Sequence, residues 1–349
     1  MWTGNYIVIA TGIILFFQVQ LNAQPSPEEF PPYFIVIGFW NLENFYDTLN
    51  DPKKMDDDFT PTGTYAWNGV RYKQKLEHLS EVISKIGNEF GDASVAVMGF
   101  CEVENKAVLE ELFRMPLLKN HTYKVILVEG PDARGIDPAL VYDSAIFCPL
   151  SVQTFRVTLP HTHHQTREQL LVNGTLLGEK VHFLVCHWPS RRGDEIESEE
   201  YRISAAKVSK WILDSLLAME PSARIIMMGD LNDEPNNKSI KTILHTVATP
   251  KSVMRGELVN AMEKSFKRGI GTLGHNDVWS LFDQMILSPA WFKSQSNSFC
   301  FQVARVFNKP WLCETYGRYA GYPLRTYAGG LYRGGYSDHF PVYVILKRE

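Results

Sequence analysis

Short apolar runs alternate with helix-periodic and turn-rich segments along most of the chain, and this alternation restricts the fold more than any other feature. Runs of four to eight apolar residues are typical of buried strands, whereas apolar residues spaced three and four apart indicate an amphipathic helix. The strand pattern occurs at 33–41, 93–100, 122–129, 138–143, 151–158, 169–177, 180–187, 223–230, 279–288 and 340–346. The helical pattern occurs at 71–87, 105–115, 196–219 and 236–246.

Many strands with helices between them predict a layered α/β domain. We expect two sheets with helices outside, formed by residues 33–349 as a single domain, because no linker-like composition interrupts that range. The stretches 250–278 and 294–333 are rich in Gly, Arg and aromatic residues but have no clean period. They are predicted to be long surface loops, which in compact domains are often functional.

The composition is that of an ordinary globular protein. Hydrophobic residues make up 45% and charged residues 21% of the 349, which is enough for a large core and unlike a disordered chain. The net charge of −4 excludes a generally basic protein that coats nucleic acid, although a local basic groove remains open. We expect a monomer.

The N-terminus has the pattern of an export signal. Residues 6–17 read YIVIATGIILFF, which is too short to span a bilayer comfortably, and LNA follows, ending at Ala23. Cleavage after Ala23 would make residues 1–23 a signal peptide and 24–32 a Pro-rich leader of an exported, periplasmic or secreted protein. No Lys or Arg precedes the run, so an uncleaved membrane anchor is the alternative. No other apolar run approaches membrane length, and we expect no stable membrane span in the mature chain.

The five cysteines all lie beyond residue 24, and an odd count leaves at least one unpaired within a monomer. Cys300 and Cys313 could pair in an oxidising compartment. Cys101 and Cys186 lie inside apolar runs and are predicted to be buried thiols. No Cys/His spacing indicates a zinc site.

Polar side chains accompany several of the apolar runs: most follow a run, Asp283 lies within one, and Asp338 and His339 precede the last. One carboxylate in such a place is ordinarily a turn residue, but five or six strand ends that all carry Asn, Asp, Glu or His are hard to attribute to turns. The residues are Asn41, Glu43, Glu102, Glu104, His187, Asp230, Asn232, Asp283, Asp338 and His339. Carboxylate and amide oxygens suit Mg²⁺, and histidines suit proton transfer or the stabilisation of phosphate.

Seven motifs carry a resemblance to a known family. They are WNLEN (40–44), EVEN (102–105), GIDPALVY (135–142), HWPSRRG (187–193), GDLND (229–233), FDQMILS (282–288) and SDHFPV (337–342). In order and spread they resemble the endonuclease/exonuclease/phosphatase superfamily, and most closely its secreted bacterial members. The resemblance implies a four-layer α/β sandwich of the deoxyribonuclease I type, in which two mixed sheets pack face to face with helices outside. It places the active site at one edge.

The resemblance also implies a metal-binding part of the site. Asn41 would lie beside the metal and the attacked phosphate. Glu102 would be the principal ligand of Mg²⁺, or of Mn²⁺, and Glu104 is the alternative ligand. Asp338 would approach the same metal.

The remaining matched residues would act on the phosphate and the attacking water. Tyr142 and His187 would hydrogen-bond phosphate oxygens. Asp230 would hold the water, and Asn232 would help to fix the phosphate. Asp283 would orient His339, whose ring would stabilise the charge on phosphorus. Arg191 and Arg192 are predicted to form either a phosphate clamp or, for one of them, a structural ion pair.

The predicted function is therefore a divalent-metal-dependent phosphoesterase that hydrolyses a phosphodiester or a phosphomonoester, with nucleic acid among the candidate substrates. A calcineurin-like phosphatase is disfavoured because GDLND is not accompanied by the DxH and GNH strand ends of that class. A lipid or inositol phosphate phosphatase shares the same core and stays open, since a fold does not settle a substrate. A non-catalytic binding protein on the same fold is disfavoured because every matched position is filled.

Overall fold

The computed structural model describes residues 34–91, 93–191, 193–250, 257–293 and 297–348. These residues belong to one compact unit. The predicted signal peptide, the leader and Arg192 lie outside the described residues.

The described chain contains seventeen strands and four α-helices. The strands are β1 (Phe34–Phe45), β2 (Val95–Val103), β3 (Tyr123–Leu127), β4 (Asp137–Asp143), β5 (Phe147–Phe155), β6 (Gln169–Leu176), β7 (Glu179–His187), β8 (Arg224–Asp230), β9 (Thr246–Val247), β10 (Leu258–Asn260), β11 (Leu273–His275), β12 (Val278–Ser280), β13 (Asp283–Leu287), β14 (Phe299–Val306), β15 (Tyr327–Ala328), β16 (Leu331–Tyr332) and β17 (Val342–Arg348). The helices are α1 (Gly69–Lys85), α2 (Lys106–Phe113), α3 (Glu195–Met219) and α4 (Glu263–Lys267). Short 3₁₀ turns lie at Asp57–Phe59, Asn88–Phe90, Pro289–Phe292 and Pro310–Leu312, and a π-helical turn at Ser239–Ile243.

Two large sheets make up the centre of the molecule. One has the order β14-β17-β1-β2-β4-β3 and the other β5-β6-β7-β8-β13-β10-β9. Their inner faces share one apolar core, to which Phe39 and Val97 contribute from the first sheet and Phe183 and Met228 from the second. The approach is close, because a Cβ at Gly99 would lie 2.7 Å from the Met228 sulfur.

Helices cover the outer face of each sheet. Leu79 and Val82 of α1 pack with Leu109 of α2 against the first sheet. Ile212 and Leu213 of α3 pack against the second sheet. The side chains of Asn68, Asn105 and Asp194 cap α1, α2 and α3 by accepting backbone N–H groups. The predicted four-layer sandwich is confirmed.

Strand direction decides where the chemistry lies. β1 pairs in parallel with β2, and β7 in parallel with β8, so the two strands of each pair end together. Asn41 of β1 donates to Asp230 of β8 at 3.0 Å, which shows that both pairs end at the same edge of the sandwich. β13 runs antiparallel to β8 and places Asp283 opposite Asp230. β17 runs antiparallel to β1, so His339 just before it lies at that edge too. The edge at which these strands meet is called the active edge below.

The structure departs from the sequence predictions in the two stretches expected to be loops. β14 lies inside the second stretch, and β10, α4 and β11 lie inside the first. The strand predicted at 279–288 is divided, since β12 pairs with β11 in a separate hairpin and only β13 joins the large sheet. Elements of two to five residues are too short to show a period, and β14 is a partly exposed edge strand without strict alternation.

Two further observations bear on the sequence analysis. All five cysteines are free thiols, so Cys300 and Cys313 are not paired in this structure. In the described part of the chain, no helix combines the length and the apolar character needed to cross a membrane.

Candidate active site

The backbone at the active edge turns sharply directly after the strands. Four residues there adopt positive φ angles without being glycine: Glu43 at 52°, Asn44 at 50°, Glu102 at 59° and Asn232 at 50°. Such a left-handed conformation costs on the order of 1–3 kcal/mol for a residue other than glycine and persists only where its surroundings fix it. The turns aim polar side chains at a common point, which we call the carboxylate–histidine cluster: Asn41, Glu102, His187, Asp230, Asp283, Asp338 and His339.

Asp230 is at the centre of the cluster and is buried. Asn41 Nδ2 donates to Asp230 Oδ2 at 3.0 Å, and the Asn232 backbone N–H donates to Asp230 Oδ1 at 3.0 Å. Burial raises the pKa of Asp230 to about 6; Asp283 adds to the rise, whereas His339 and the two donors oppose it. Asp230 is thus a fixed carboxylate of raised basicity, suited to orienting a water and accepting its proton.

His339 is held on two sides. Its ring Nδ1 donates to Asp283 Oδ2 at 2.7 Å, which is the hydrogen bond predicted from the sequence. Its carbonyl accepts from Trp40 Nε1 at 2.8 Å, and its backbone N–H donates to the Ser337 hydroxyl at 3.1 Å. Burial alone lowers the pKa of His339, but the carboxylates of Asp283, Asp230 and Asp338 outweigh burial and hold that pKa well above its usual value. The ring is therefore cationic at neutral pH.

His187 has the opposite electrostatic environment. Its Nε2 lies 3.8 Å from Asp230 Oδ2 and 4.0 Å from Glu102 Oε1, beyond hydrogen-bond reach. Burial lowers its pKa well below the usual value, and the charges of Arg167, Arg134 and His339 lower it further. His187 is thus a neutral imidazole, beside a cationic one.

Glu102, and not its alternative Glu104, faces this cluster. Glu102 Oε2 accepts the Asn44 backbone N–H at 2.8 Å, which leaves Oε1 directed towards His187. Glu104 accepts the Asp47 N–H at 2.6 Å and lines a separate cavity of about 180 Å³. Burial raises the pKa of Glu104 to about 7, and the neighbouring carboxylates of Asp47, Asp56 and Asp51 add to the rise.

The donor set fits a hard divalent cation. Carboxylate oxygens of Glu102 and Asp230 lie 4.0 and 3.8 Å from the same atom, His187 Nε2. Asp338 Oδ1 lies 3.9 Å from His339 Nε2, and Glu102 supplies a further free oxygen. Oxygen donors of this kind match Mg²⁺ or Mn²⁺. Cys101 is also close, and burial raises the pKa of its thiol well above the usual value. A soft sulfur ligand does not match Mg²⁺, which prefers oxygen.

Asn232 and Arg191 lie at the active edge but are engaged by the protein itself. Asn232 Nδ2 donates to the Trp188 carbonyl at 3.0 Å. Arg191 donates to the Asn232 carbonyl, to Asp233 and to Asn237 at 2.9–3.1 Å. The structure supports the ion-pair alternative for Arg191, because its Nε and Nη2 donate to protein acceptors. The phosphate clamp stays a prediction, since the side chain is about one-third exposed.

The prediction that Tyr142 contacts phosphate is wrong. β4 runs antiparallel to β2, so Asp137 lies opposite Val103 at the active edge, whereas Tyr142 lies opposite Val97 near the other end. The Tyr142 ring packs edge-on against Phe147 and lines a concavity of about 780 Å³ that contains none of the cluster residues. The residue of the GIDPALVY segment that lies at the active edge is Asp137.

Sequence reasoning also missed a network behind His187. Arg167 donates to Asp132 Oδ2 at 3.1 Å and to the Trp188 carbonyl at 2.9 Å, and Arg134 Nε lies 3.6 Å from Asp132 Oδ1. Arg167 is buried two residues before β6. An arginine so close to an apolar strand could have indicated this network from the sequence.

A sandwich of two mixed sheets with a buried carboxylate–histidine cluster at one edge is the architecture of a metal-dependent phosphoesterase. The sequence profile of the Endonuclease/Exonuclease/phosphatase family matches residues 36–348. The chain belongs to that family, which places it among the hydrolases that act on phosphoester bonds. No curated protein matches the sequence.

Solved structures share the fold at low sequence identity. A TDP2 from D. rerio in complex with a single-stranded DNA product has a TM-score of 0.55 and 14% identity over 90% of this chain and 98% of its own. A mannosyl-6-phosphatase from Bacteroides thetaiotaomicron has a TM-score of 0.53 and 18% identity over 89% and 99%. A further family protein from the same organism has a TM-score of 0.52 and 17% identity over 92% and 100%.

Proposed function

We propose that the protein is a Mg²⁺- or Mn²⁺-dependent phosphoesterase in which Asp230 positions a water for in-line attack on phosphorus. One observation carries the proposal: Asp230 is buried, fixed by two N–H donors, and flanked at 3.8 Å by a cationic and a neutral histidine. A negatively charged phosphoester repels a nucleophile, and this arrangement offers a base for the water beside a positive charge for the phosphoryl oxygens.

The metal would be held by Glu102 and Asp338, with Asn41 beside it. When bound, it would neutralise charge on the phosphate and stabilise the leaving oxygen. The protein's own groups do the rest. Asp230 accepts the proton of the attacking water. His339, oriented by Asp283, places its N–H towards the oxygens that gain charge, and neutral His187 donates a hydrogen bond to another of them.

The cluster alone does not determine which class of phosphoester is the substrate. Two structural neighbours differ in this respect: one is a TDP2 in complex with a single-stranded DNA product, and the other is a mannosyl-6-phosphatase. A nucleic acid and a sugar phosphate are both compatible with the same cluster, since a fold does not settle its substrate.

The test is a panel of phosphoesters assayed with Mg²⁺, with Mn²⁺ and with EDTA. We expect metal-dependent hydrolysis of at least one class among DNA, RNA, sugar phosphates, inositol phosphates and sphingomyelin, and its loss in EDTA. Hydrolysis that survives EDTA, or a folded protein that turns over no phosphoester, would contradict the proposal.

We also propose that the protein is exported and acts as a monomer outside the cytoplasm. The support is the apolar run 6–17 followed by Ala23. N-terminal sequencing of the mature protein should find Gln24 first; an intact Met1 on a cytoplasmic protein would contradict export.

A further inference from the structure

A cavity of about 200 Å³ opens beside the carboxylate–histidine cluster, and the proposed function does not use it. Its lining includes His275, Asn276, Glu314, Tyr319, Tyr322 and Arg325. We call it the ring pocket. Arg325 connects it to the cluster, because Arg325 Nη2 lies 3.9 Å from Asp338 Oδ2 and Asp338 Oδ1 lies 3.9 Å from His339 Nε2.

We propose that the ring pocket binds the hydroxyl-bearing ring of a small phosphate monoester, such as a hexose phosphate, while its phosphate lies at the cluster. Arg325 is the specificity-determining residue at the junction of the two. This inference rests on the proposed function and names its substrate class.

The walls of the pocket are fixed. A Cβ at Gly274 would lie 2.6 Å from the Tyr322 ring, so only glycine lets that ring take its position. Trp279 packs against Tyr322 at 5.2 Å and against Phe340, the residue after His339, at 6.1 Å. The pocket is thus joined through packed rings to the strand that carries the catalytic histidine.

The loop that carries Arg325 is anchored from beneath. The backbone N–H of Thr326 donates to Glu43 Oε2 at 2.6 Å, and Lys75 Nζ donates to the Thr326 hydroxyl at 2.6 Å. All three of these residues are buried. Glu43, a strand-end carboxylate that does not join the cluster, therefore fixes the backbone next to Arg325.

Arg325 itself is open to a ligand. Two other arginines of this region are tightly paired: Arg318 with Asp277 at 2.6 Å, and Arg333 with Glu314 at 3.0 Å. Within the described residues the side chain of Arg325 makes no hydrogen bond, its nearest carboxylate oxygen is 3.9 Å away, and a third of it is exposed. A guanidinium in this state can donate to an oxygen of the ligand.

The shape and polarity favour a hydroxylated ring over a flat aromatic one. The volume is below the roughly 300–1,000 Å³ typical of pockets for drug-sized ligands, so it takes a single ring. The rings of Tyr319 and Tyr322 are inclined by 43°, so they do not form the parallel pair between which a flat base would be held. Asn276 offers both a donor and an acceptor, which match a hydroxyl group that can donate and accept.

The other flank disfavours a polyanion. On the β2 side of the cluster, a cavity is lined by Asp47, Asp51, Glu104 and Glu129, with Lys54 as its cation. A nucleic-acid strand with its scissile phosphate at the cluster would bring a neighbouring phosphate towards these acids, whereas proteins bind nucleic acid through Lys and Arg. A monoester has no neighbouring phosphate and avoids this repulsion.

The experiment compares kcat/KM for hexose 6-phosphates, methyl phosphate and oligothymidylate with Mg²⁺, in the intact protein and in Arg325→Ala. We expect hexose phosphates to be the best substrates. Arg325→Ala should lower their kcat/KM by about 10- to 100-fold, the scale of a lost hydrogen bond to a charged group, chiefly through KM. The loss for methyl phosphate, which has no ring, should be smaller, and Arg325→Lys should restore part of the preference.

Arg114→Ala is the matched control, because Arg114 is an exposed arginine at the far end of α2 that pairs only with Glu110 among the described residues. It should keep the preference for hexose phosphates, and thermal unfolding should show that every variant is folded. Two results would contradict the proposed role of the ring pocket but not the proposed function: metal-dependent hydrolysis that favours oligothymidylate, or a preference for hexose phosphates that is unchanged in Arg325→Ala. Failure to hydrolyse any phosphoester overturns both.

Discussion

The two ends of the sandwich differ in what they contain: one has a large concavity, and the other has a cluster of buried ionisable side chains. The end away from the active edge has the larger concavity, about 780 Å³, lined by Tyr142, Lys124 and neighbouring residues. The active edge instead buries two carboxylates and two histidines, Asp230, Asp283, His187 and His339, each of which lies within 4 Å of at least one other. Buried ionisable groups are costly unless they are paired or bind a ligand, so their convergence indicates chemistry more directly than volume does.

The origin of the difference is strand direction. Two parallel pairs end at the active edge, and the turns that follow them can present side chains without interrupting the sheet. At the opposite end β6 turns tightly into its antiparallel neighbour β7, and such a turn leaves less room for a cluster of side chains. The comparison predicts that substitutions at the active edge remove activity, whereas matched ones at the other end do not.

The largest effect should come from Glu102→Gln. Loss of a ligand oxygen to a catalytic metal removes several kcal/mol of charge stabilisation, which corresponds to a decrease in kcat of about 10³-fold or more. Metal binding should weaken in parallel, with thermal unfolding of the metal-free protein little changed. Glu104→Gln is the matched control and should retain activity. The reverse pattern would transfer the ligand role to Glu104.

The next effect concerns the pair of Asp283 and His339. His339→Ala should lower kcat by roughly 10²-fold, the scale of a lost positioned catalytic group. Asp283→Asn should be nearly as damaging, because the 2.7 Å hydrogen bond orients the ring and sustains its positive charge. The defects of the double variant should not multiply, since the pair acts as one unit. Multiplying defects would show that the two residues act independently.

A third prediction compares two carboxylates at opposite ends of β4. Asp143 accepts from Thr122 and from the Ala145 N–H at 2.7 and 3.0 Å, and its other oxygen meets the His121 ring. Asp137 is buried at the active edge, where Oδ2 accepts the Gly130 N–H and Oδ1 has no partner among the described residues. Burial raises the pKa of Asp137 from 3.8 to about 6.

The sign of this shift gives the pH dependence. The folded state holds the proton of Asp137 more tightly than the unfolded state, so stability is lost as the pH rises from about 4 to about 6. Asp137→Asn should therefore raise the free energy of unfolding near neutral pH by up to about 3 kcal/mol, with no gain below pH 4. Asp143→Asn should lower it by about 1–2 kcal/mol through lost hydrogen bonds. Urea unfolding in EDTA at several pH values measures both, and a gain for Asp137→Asn that does not depend on pH would contradict the assignment.

The sequence predicted the layers and most of the cluster because both depend on local patterns. An apolar run that stops at Asn41, His187 or Asp230 is visible in the sequence, and the order of the motifs supplied the family. The sequence did not reveal strand direction or the partners of a long side chain. The antiparallel course of β4 reverses which end of GIDPALVY reaches the site, and the three acceptors of Arg191 come from residues about 40 positions away. Short elements such as β11 and β12 have no period to detect.

The smallest expected effect is that of Tyr142→Phe, which tests whether Tyr142 takes part in catalysis. Tyr142 lies at the end of β4 opposite to Asp137, and its ring packs against Phe147 beside the larger concavity. Tyr142→Phe removes only the hydroxyl group and keeps that packing, so kcat and KM for any phosphoester should stay within about twofold, because surface changes away from a site usually alter little. His187→Ala, at the active edge, is the contrasting variant and should be strongly impaired. A tenfold or larger loss of kcat in Tyr142→Phe would show that the large concavity takes part in catalysis. Catalysis would then not be confined to the active edge.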